Sequence, residues 1–200
     1  MAGVSYRHIM IVSKTYLELE TVAPHDIIDK SIKTYLPSGK YAQEFSAIIE
    51  KANAVISKSD VNKKRLASEK LPATSIWPWS QGVYPKMPSF KERYNMTGGI
   101  VTAVDLLKGL GVLMDLETPD IPGATGFIDT NYEEKVKAAQ RILDKHDFCY
   151  LHIEAPDEAG HMGDYKIKVK AIEDFDEKVV KPMLAYQEDK QDCVIMVLPD

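Results

Sequence analysis

Residues 147–164 read DFCYLHIEAPDEAGHMGD, and this stretch decides how the rest of the chain is interpreted. Its first part, FCYLHI, has the length and the apolar composition of a buried β-strand. The strand is followed at once by ionisable side chains: six of the thirteen residues from His152 to Asp164 can carry a charge. A turn that only needs to be solvated does not require so many, so the stretch indicates a strand that ends at a functional loop.

Further strands and helices alternate along the chain. Strands are predicted at YRHIMIV (6–12), GGIVTAV (98–104) and CVIMVL (193–198). Helices are predicted at about 41–57, at 105–116, at 131–146 and from Asp164 to about Tyr186, with a short helix after the first of these. This order predicts an α/β fold with a mostly parallel sheet that is covered by helices on both faces.

Polar residues mark where two of these helices begin. Ser59 or Asp60 is placed to accept the free amides of the short second helix. Asp129 or Thr130 is placed to cap the helix at 131–146, in which two acidic residues follow at 133 and 134 near the positive end of the helix dipole.

The segment KLPATSIWPWSQGVYPKMP (70–88) is rich in proline and small residues. Such composition is typical of an irregular crossing between two parts of a structure. We therefore expect two domains, covering residues 1–72 and 73–200.

The composition limits the classes of partner. The 200 residues are 44% hydrophobic and 28% charged, with a net charge of −5. No basic run stands out, which argues against nucleic acid or an anionic membrane as the main partner. No apolar run approaches the ~20 residues that a membrane-spanning helix needs, and the N-terminus lacks a signal-peptide pattern. Cytoplasmic localisation is expected; the oligomeric state is not predicted.

Two cysteines, Cys149 and Cys193, lie in apolar runs that resemble strands. Cysteine in such runs is typically a reduced thiol that packs as a small apolar side chain. We expect both to be reduced core residues, without a redox or ligand role.

The charged loop contains a pair that suits a metal ion. Asp157 and His161 are four residues apart, so one helical turn or tight loop presents both to one point. Carboxylate plus imidazole suits Mn²⁺, Zn²⁺ or Fe²⁺, and Asp200, after another predicted strand, is placed to add a ligand. The alternative is a polar loop that accepts backbone hydrogen bonds, and the spacing alone does not decide between the two.

Basic residues also stand near the ends of predicted elements. Arg7, Arg65, Lys91 and Arg93 have the chemistry to hold a carboxylate or a phosphate. Taken singly, each is better explained as a surface charge.

Several motifs together resemble one family. They are GVSYRH, APHDI, VNKKR, PATSIWPWSQG, GGIVTAVDLLKGLG, PGATGFIDTNYEEK and HIEAPDEAGHMGD. In this order they resemble the archaeal-type cofactor-independent phosphoglycerate mutases, which are alkaline-phosphatase-like metalloenzymes. The resemblance extends over essentially the whole chain.

The resemblance implies a fold and an activity. The fold would be a partial phosphatase-like core (73–200) preceded by part of an inserted α/β domain that caps the substrate (1–72). The activity would interconvert 3-phosphoglycerate and 2-phosphoglycerate, with two divalent ions, usually Mn²⁺, and without 2,3-bisphosphoglycerate. The family's nucleophilic serine would lie upstream of this chain, which is then expected to be an inactive internal fragment with no catalytic residue of its own.

The same resemblance implies roles for individual residues. Asp157 and His161 match ligands of one metal ion, and Asp200 matches a ligand of the other. Arg7, Asp26 and Arg65 match substrate-facing positions of the inserted domain, and Lys91 matches a lysine of the core near the phosphoryl group. The other charged residues of the loop would support the ligands from behind: His152, Glu154 and Glu158.

Three other functions remain open at this point. Some bacterial relatives with a similar WPWSQG motif are proposed to phosphorylate homoserine. A metal-dependent phosphatase would use the same apparatus, and a non-catalytic binding module would use none of it.

Overall fold

The structure, a computed structural model, describes residues 1, 3, 8–188, 190 and 192–199. The chain forms two compact units, Met1–Tyr84 and Pro85–Asp200. The expected boundary after residue 72 lies within the first unit, in the irregular stretch 70–84 that contains neither helix nor strand. The assignment of the two parts to an inserted domain and a core stays a prediction.

The first unit consists of short elements and two helices. Its 3₁₀ helices are Lys14–Glu18, Pro24–Ile27 and Ile32–Thr34. Strand β1 (Leu19–Glu20) pairs antiparallel with β2 (Ser38–Gly39), and helices α1 (Ala42–Ser57) and α2 (Asp60–Ala67) follow. Of the two proposed caps of α2, Ser59 is confirmed, since its hydroxyl accepts from the amide of Asn62 at 3.2 Å.

A buried amide holds the irregular segment of this unit. Asn62 donates to the carbonyls of Ile56 (2.8 Å) and Ala73 (2.7 Å), and its own carbonyl accepts from the amide of Ala73 (2.9 Å). Three hydrogen bonds from one buried side chain therefore fix residue 73 against the ends of both helices.

The second unit contains the parallel sheet. Its elements are α3 (Phe90–Tyr94), β3 (Gly98–Val101), α4 (Asp105–Leu113), α5 (Tyr132–Leu143), β4 (Phe148–Leu151), α6 (Ala155–His161), α7 (Tyr165–Phe175), a π-helical segment (Asp176–Val180) and α8 (Lys181–Glu188). Strands β3 and β4 pair in parallel from Gly98 opposite Phe148 to Val101 opposite Leu151. The predicted α/β class is confirmed.

Helix α5 lies at the centre of the core of this unit. It packs against β3, β4, the π-helical segment and α8. Val101, Ala139 and Ile142 are almost completely buried in this cluster. Gly99 is required in β3, because a methyl group there would lie 2.7 Å from Cδ1 of Ile142 and 2.8 Å from the carbonyl oxygen of Glu117.

Two strand predictions are corrected. Residues 193–198 form no strand, and the described part of the first predicted strand, 8–12, contains only an isolated bridge residue at His8. Apolar composition alone does not make a strand, because β-structure also requires a hydrogen-bonding neighbour. Tyr6 and Arg7 lie outside the described residues.

Two details of the helices also differ from expectation. The cap of α5 is Asn131, whose side chain accepts a hydrogen bond from the amide of Glu134. Neither Asp129 nor Thr130 caps this helix. Those two instead accept hydrogen bonds from Thr125 within the preceding loop. The long helix predicted from Asp164 is divided by the π-helical segment into α7 and α8.

Within the described part of the chain, no helix combines the length and the apolar character needed to cross a membrane. Both cysteines are free thiols and partly buried, as expected. Burial, with a smaller contribution from Glu117, raises the pKa of Cys149 to about 12, which keeps this thiol protonated.

Candidate metal centre

Polar side chains meet where β3 and β4 end. Thr102 follows β3 and His152 follows β4, and the register places them side by side. Oγ1 of Thr102 and Nδ1 of His152 lie 3.2 Å apart, and the threonine oxygen also accepts from the amide of Val104 at 3.0 Å. The carboxyl end of the sheet, where open α/β folds bind their ligands, is therefore fixed by a buried hydroxyl.

Glu154, the next charged residue along the chain, contacts the other ring nitrogen of His152. Nε2 of His152 lies 3.1 Å from Oε2 of Glu154, and both side chains are mostly buried. Glu154 occupies the position immediately before α6. The imidazole thus connects the end of β3 to the start of the helix that contains Asp157 and His161.

The sequence of α6 separates an inner and an outer face. Ala155 and Ala159, four residues apart, are buried in the core. Asp157 and His161, also four apart, lie on the outer side and are 42% and 74% exposed. Small residues inside let the helix lie close to the core, while the spacing of one turn brings the two polar side chains together.

The two outer side chains have the geometry of a ligand pair. Oδ2 of Asp157 and Nε2 of His161 lie 3.3 Å apart. Such a distance also occurs in a direct carboxylate–imidazole contact. Two donors that each lie about 2.1 Å from one tetrahedral ion are separated by roughly 3.4 Å, so the spacing is compatible with a shared divalent ion. Carboxylate and imidazole together suit Mn²⁺, Zn²⁺ or Fe²⁺.

The described residues supply only these two donors. No group of three or more His, Cys, Asp or Glu side chains that could hold a metal ion occurs among them. Asp200, the expected further ligand, lies outside the described residues. The part of the centre that the structure describes is therefore one carboxylate–imidazole pair.

Other contacts keep α6 in place. The ammonium of Lys168, from α7, donates to the carbonyl of Pro156 at 2.7 Å. Asp164 caps α7 by accepting from the amides of Lys166 and Ile167. Gly163, with φ of 70°, makes the left-handed turn between the two helices, a conformation that glycine adopts without strain. The charged stretch therefore also contains a helix cap.

A buried cation lies next to this region. Lys135, in α5, is 0% exposed, and its ammonium donates to the carbonyl of Thr125 at 3.3 Å. Burial lowers the pKa of Lys135 to about 8, and the negative charge of Glu154 partly opposes this effect. Lys135 thus interacts with both the loop before α5 and the residue that precedes α6.

The loop before α5 is itself ordered by local hydrogen bonds. The hydroxyl of buried Thr130 accepts from the amide of Thr125 at 3.0 Å. Asn131 donates to the carbonyls of Gly123 (3.0 Å, from its backbone) and Pro122 (3.1 Å, from its side chain). The PGATGFIDT segment is therefore a defined turn at the edge of the candidate centre.

Comparison with known proteins places the chain in a family. Residues 19–200 match the metalloenzyme superfamily. The chain belongs to the metalloenzyme superfamily. The resemblance inferred from the motifs is confirmed at this level, and a pair of metal-type donors on α6 is consistent with it.

Individual relatives from the superfamily have names that state an activity. The 2,3-bisphosphoglycerate-independent phosphoglycerate mutases of Methanosarcina mazei and Methanosarcina acetivorans are each 46% identical over 200 residues, which are 99% of this chain and 50% of each relative. A probable mutase of the same type from Geobacter sulfurreducens is 44% identical over 198 residues. The chain spans about half the length of the curated relatives it matches.

A solved structure supports the fold. A protein from Pyrococcus horikoshii matches with a TM-score of 0.63 and 31% identity, covering 76% of this chain and 39% of that one. The α/β architecture of the superfamily chain is thus shared with an independently solved protein.

Lys91, the predicted substrate-binding residue of the second unit, is not brought to the α6 pair. Lys91, in α3, donates to the carbonyl of Asn95 at 3.0 Å. Hydrogen bonds from Thr97 lower the pKa of Asp147, and the charge of Lys91 makes a smaller contribution in the same direction. Asp147 directly precedes β4, so Lys91 lies at the amino end of the sheet, opposite to the metal pair.

Asp26 and Arg65 lie in the first unit. Asp26 is exposed, with an oxygen 3.9 Å from Nε2 of His25. Arg65, in α2, donates from Nε to the carbonyl of Leu71 at 2.7 Å, which holds the start of the irregular segment. Arg7, like Asp200, lies outside the described residues. The substrate-binding roles of these residues stay predictions.

Reasoning from the sequence missed Lys135. The burial of Lys135 could have been predicted from the spacing of apolar residues in α5, where Tyr132, Val136 and Ala139 lie on the buried face. Lys135 falls on that face, three residues after Tyr132 and four before Ala139, so helical periodicity predicts a buried position for a charged residue.

Proposed function

We propose that the natural protein which carries this chain interconverts 3-phosphoglycerate and 2-phosphoglycerate through a phosphoserine intermediate. The observation that carries the proposal is the 46% identity, over 99% of this chain, to relatives named 2,3-bisphosphoglycerate-independent phosphoglycerate mutase. The α6 pair supports it, because the chemistry of that family requires a divalent ion close to the phosphoryl group.

In this proposal, Asp157 and His161 hold one divalent ion, and Asp200 contributes to a second; Mn²⁺ is the expected metal. A bound divalent ion would polarise phosphoryl oxygens and lower the pKa of a hydroxyl nucleophile. The chain's own contribution is to place the two donors 3.3 Å apart on the outer face of a helix whose inner face is fixed by two buried alanines. The nucleophilic serine is proposed to lie in a part of the natural protein outside this chain, which alone is inactive.

The remaining assignments follow the same proposal. Residues 73–200 form part of the metal-binding core, and residues 1–72 form part of a domain that closes over the phosphorylated substrate. Arg7, Asp26, Arg65 and Lys91 bind the anionic groups of that substrate. The reaction belongs to glycolysis and gluconeogenesis in the cytoplasm, and it uses no 2,3-bisphosphoglycerate.

The test uses the natural protein with 3-phosphoglycerate, an enolase-coupled readout, and Mn²⁺ either added or removed with a chelator. Turnover is expected only with metal. Asp157→Ala should lower turnover by more than roughly 100-fold, because the loss of a group that merely supports a ligand already costs about 10–100-fold. Glu173→Ala, which removes an exposed carboxylate from α7, is the matched control and should leave turnover unchanged.

Other outcomes identify the alternatives. Release of phosphate without formation of 2-phosphoglycerate would replace the proposal with a metal-dependent phosphatase. No reaction with 3-phosphoglycerate, together with phosphorylation of homoserine, would assign the kinase-like function. Loss of turnover in the Glu173→Ala control as well as in Asp157→Ala would remove the specific role of the α6 pair.

A further inference from the structure

Lys135 is completely buried. Burial of a cation costs folding free energy unless its surroundings compensate for it. An ammonium can donate three hydrogen bonds. One is accounted for by the carbonyl of Thr125, at 3.3 Å. A position on the apolar stripe of α5 would be filled at lower cost by leucine or methionine, so the lysine calls for a role beyond packing.

Glu154 lies close enough to Lys135 for their charges to interact. The carboxylate of Glu154 is the charge that opposes the effect of burial on Lys135. The loop to which the ammonium donates also packs on Glu154, since a methyl group on Gly126 would lie 3.5 Å from Cγ of Glu154. The ammonium, the loop and the carboxylate therefore converge at the position immediately before α6.

Glu154 is held from its other side as well. Its Oε2 lies 3.1 Å from Nε2 of His152, whose Nδ1 lies 3.2 Å from Oγ1 of Thr102. A carboxylate that contacts an imidazole and packs against the loop held by Lys135 is restricted in its rotamer, and so is the backbone that continues into α6. Three residues after Glu154 comes Asp157, the first donor of the candidate centre.

We infer that Lys135 is a positioning residue of the metal centre, which acts through Glu154 to fix the start of α6 and thereby the separation of Asp157 and His161. This inference rests on the metal site of the proposed function, and it adds to that function a residue on another helix. Lys135 does not touch the metal ion or the substrate; it determines how well the two donors are prearranged.

The test measures the binding of Mn²⁺ alone to the natural protein, without substrate, from the electron paramagnetic resonance signal of free Mn²⁺. Lys135→Met keeps the length of the side chain and removes the charge, and it should weaken Mn²⁺ binding by about 10–100-fold. Lys137→Met, two residues further along α5 on its exposed side, is the matched control and should change the affinity by less than about twofold.

A second variant tests the path through Glu154 and does not depend on how well Lys135→Met folds. Glu154→Gln should weaken Mn²⁺ binding to a similar extent. The double variant should bind about as well as Glu154→Gln alone, because the inference has Lys135 act on α6 only through Glu154. Additive losses in the double variant would contradict an action through Glu154, and unchanged binding in either single variant would overturn the inference.

Failure of the inference is distinguishable from failure of the metal site itself. Asp157→Ala removes a proposed ligand and should abolish one Mn²⁺ site. If it does so while Lys135→Met binds normally, only the role of Lys135 is wrong. If Asp157→Ala also binds normally, the α6 pair is not a metal site, and the inference fails with it.

Discussion

Helices α1 and α5 differ in how many of their side chains are buried. Helix α1 has 16 residues and buries one side chain, Phe45. Helix α5 has 12 residues and buries six, among them a lysine. The longer helix lies in the first unit, whose buried apolar cluster consists of Tyr16, Leu19 and Phe45, and the shorter one crosses the main cluster of the second unit.

The difference shows in which unit the side chains of a functional site are held in fixed positions. A helix packed on several sides has its side chains fixed in single positions, whereas one packed on a narrow face leaves most of them mobile in solvent. The candidate metal pair, the buried lysine and the imidazole that links the strand ends all lie in the densely packed unit.

The largest effect is expected when a core side chain of α5, Ile142, is truncated. Ile142 is 1% exposed and lies against Gly99 of β3. Ile142→Ala should lower the free energy of unfolding by roughly 2–5 kcal/mol, since it removes buried methylene groups and leaves a cavity. Urea unfolding followed by circular dichroism measures the effect. A loss below about 1 kcal/mol would show that the second unit is less tightly packed than the structure indicates.

The buried lysine predicts a pH effect with a defined sign. The pKa of Lys135 is lowered to about 8 in the folded chain, from an ordinary value of 10.5. Between these values the unfolded chain binds more protons than the folded one, so this group's contribution to stability rises with pH. Relative to Lys135→Met, the native chain should gain about 3 kcal/mol of unfolding free energy between pH 7 and pH 10.5.

Urea unfolding of both proteins across this pH range measures the difference. Other groups whose protonation changes on unfolding in this range are present in both proteins and cancel. They include the thiol of Cys149, whose pKa is raised to about 12 in the folded chain. A difference that stays constant with pH would mean that Lys135 is not buried as a cation.

The cap of α5 predicts a smaller effect. Asn131 accepts from the amide of Glu134 and donates to the carbonyl of Pro122. Asn131→Ala should lower the free energy of unfolding by about 1 kcal/mol. Asp129→Ala, at a position first expected to be the cap, serves as the comparison. If Asp129→Ala costs more than Asn131→Ala, the helix begins earlier in solution than at Tyr132.

The smallest effect is expected on α1. Val55 is 72% exposed, so Val55→Ala should change the free energy of unfolding by less than about 0.5 kcal/mol, and a slight gain is consistent with the higher helix propensity of alanine. Thermal unfolding detects a change of this size. A loss above about 1 kcal/mol would indicate that this face of α1 is buried in solution, and the contrast between the helices would disappear.

Much of the fold could be predicted because its signals are local. Helical spacing of apolar residues gave α1, and the acidic residues near its start supported α5. Ser59 was one of two residues proposed as the cap of α2 from their place in the sequence. Strands β3 and β4 were found from short apolar runs next to helices. These signals depend on neighbours a few residues away, which the sequence displays directly.

The errors concern contacts that local patterns do not contain. Residues 193–198 have the composition of a strand, yet a strand also needs a pairing partner. Asn131 is the cap because Asp129 and Thr130 are engaged with Thr125. The burial of Lys135 next to Glu154 depends on how α5 packs on β4, which brings residues far apart in sequence together.

The candidate pair itself was accessible from the sequence, because a spacing of four on a helix fixes the relation between Asp157 and His161. The most direct test of the account is an anomalous-difference map at the manganese absorption edge, from crystals of the natural protein grown with Mn²⁺. If Asp157 and His161 are ligands, a peak is expected within coordination distance of both the Asp157 carboxylate and the His161 imidazole. Manganese peaks only at other positions, with the two side chains ordered and unligated, would contradict it.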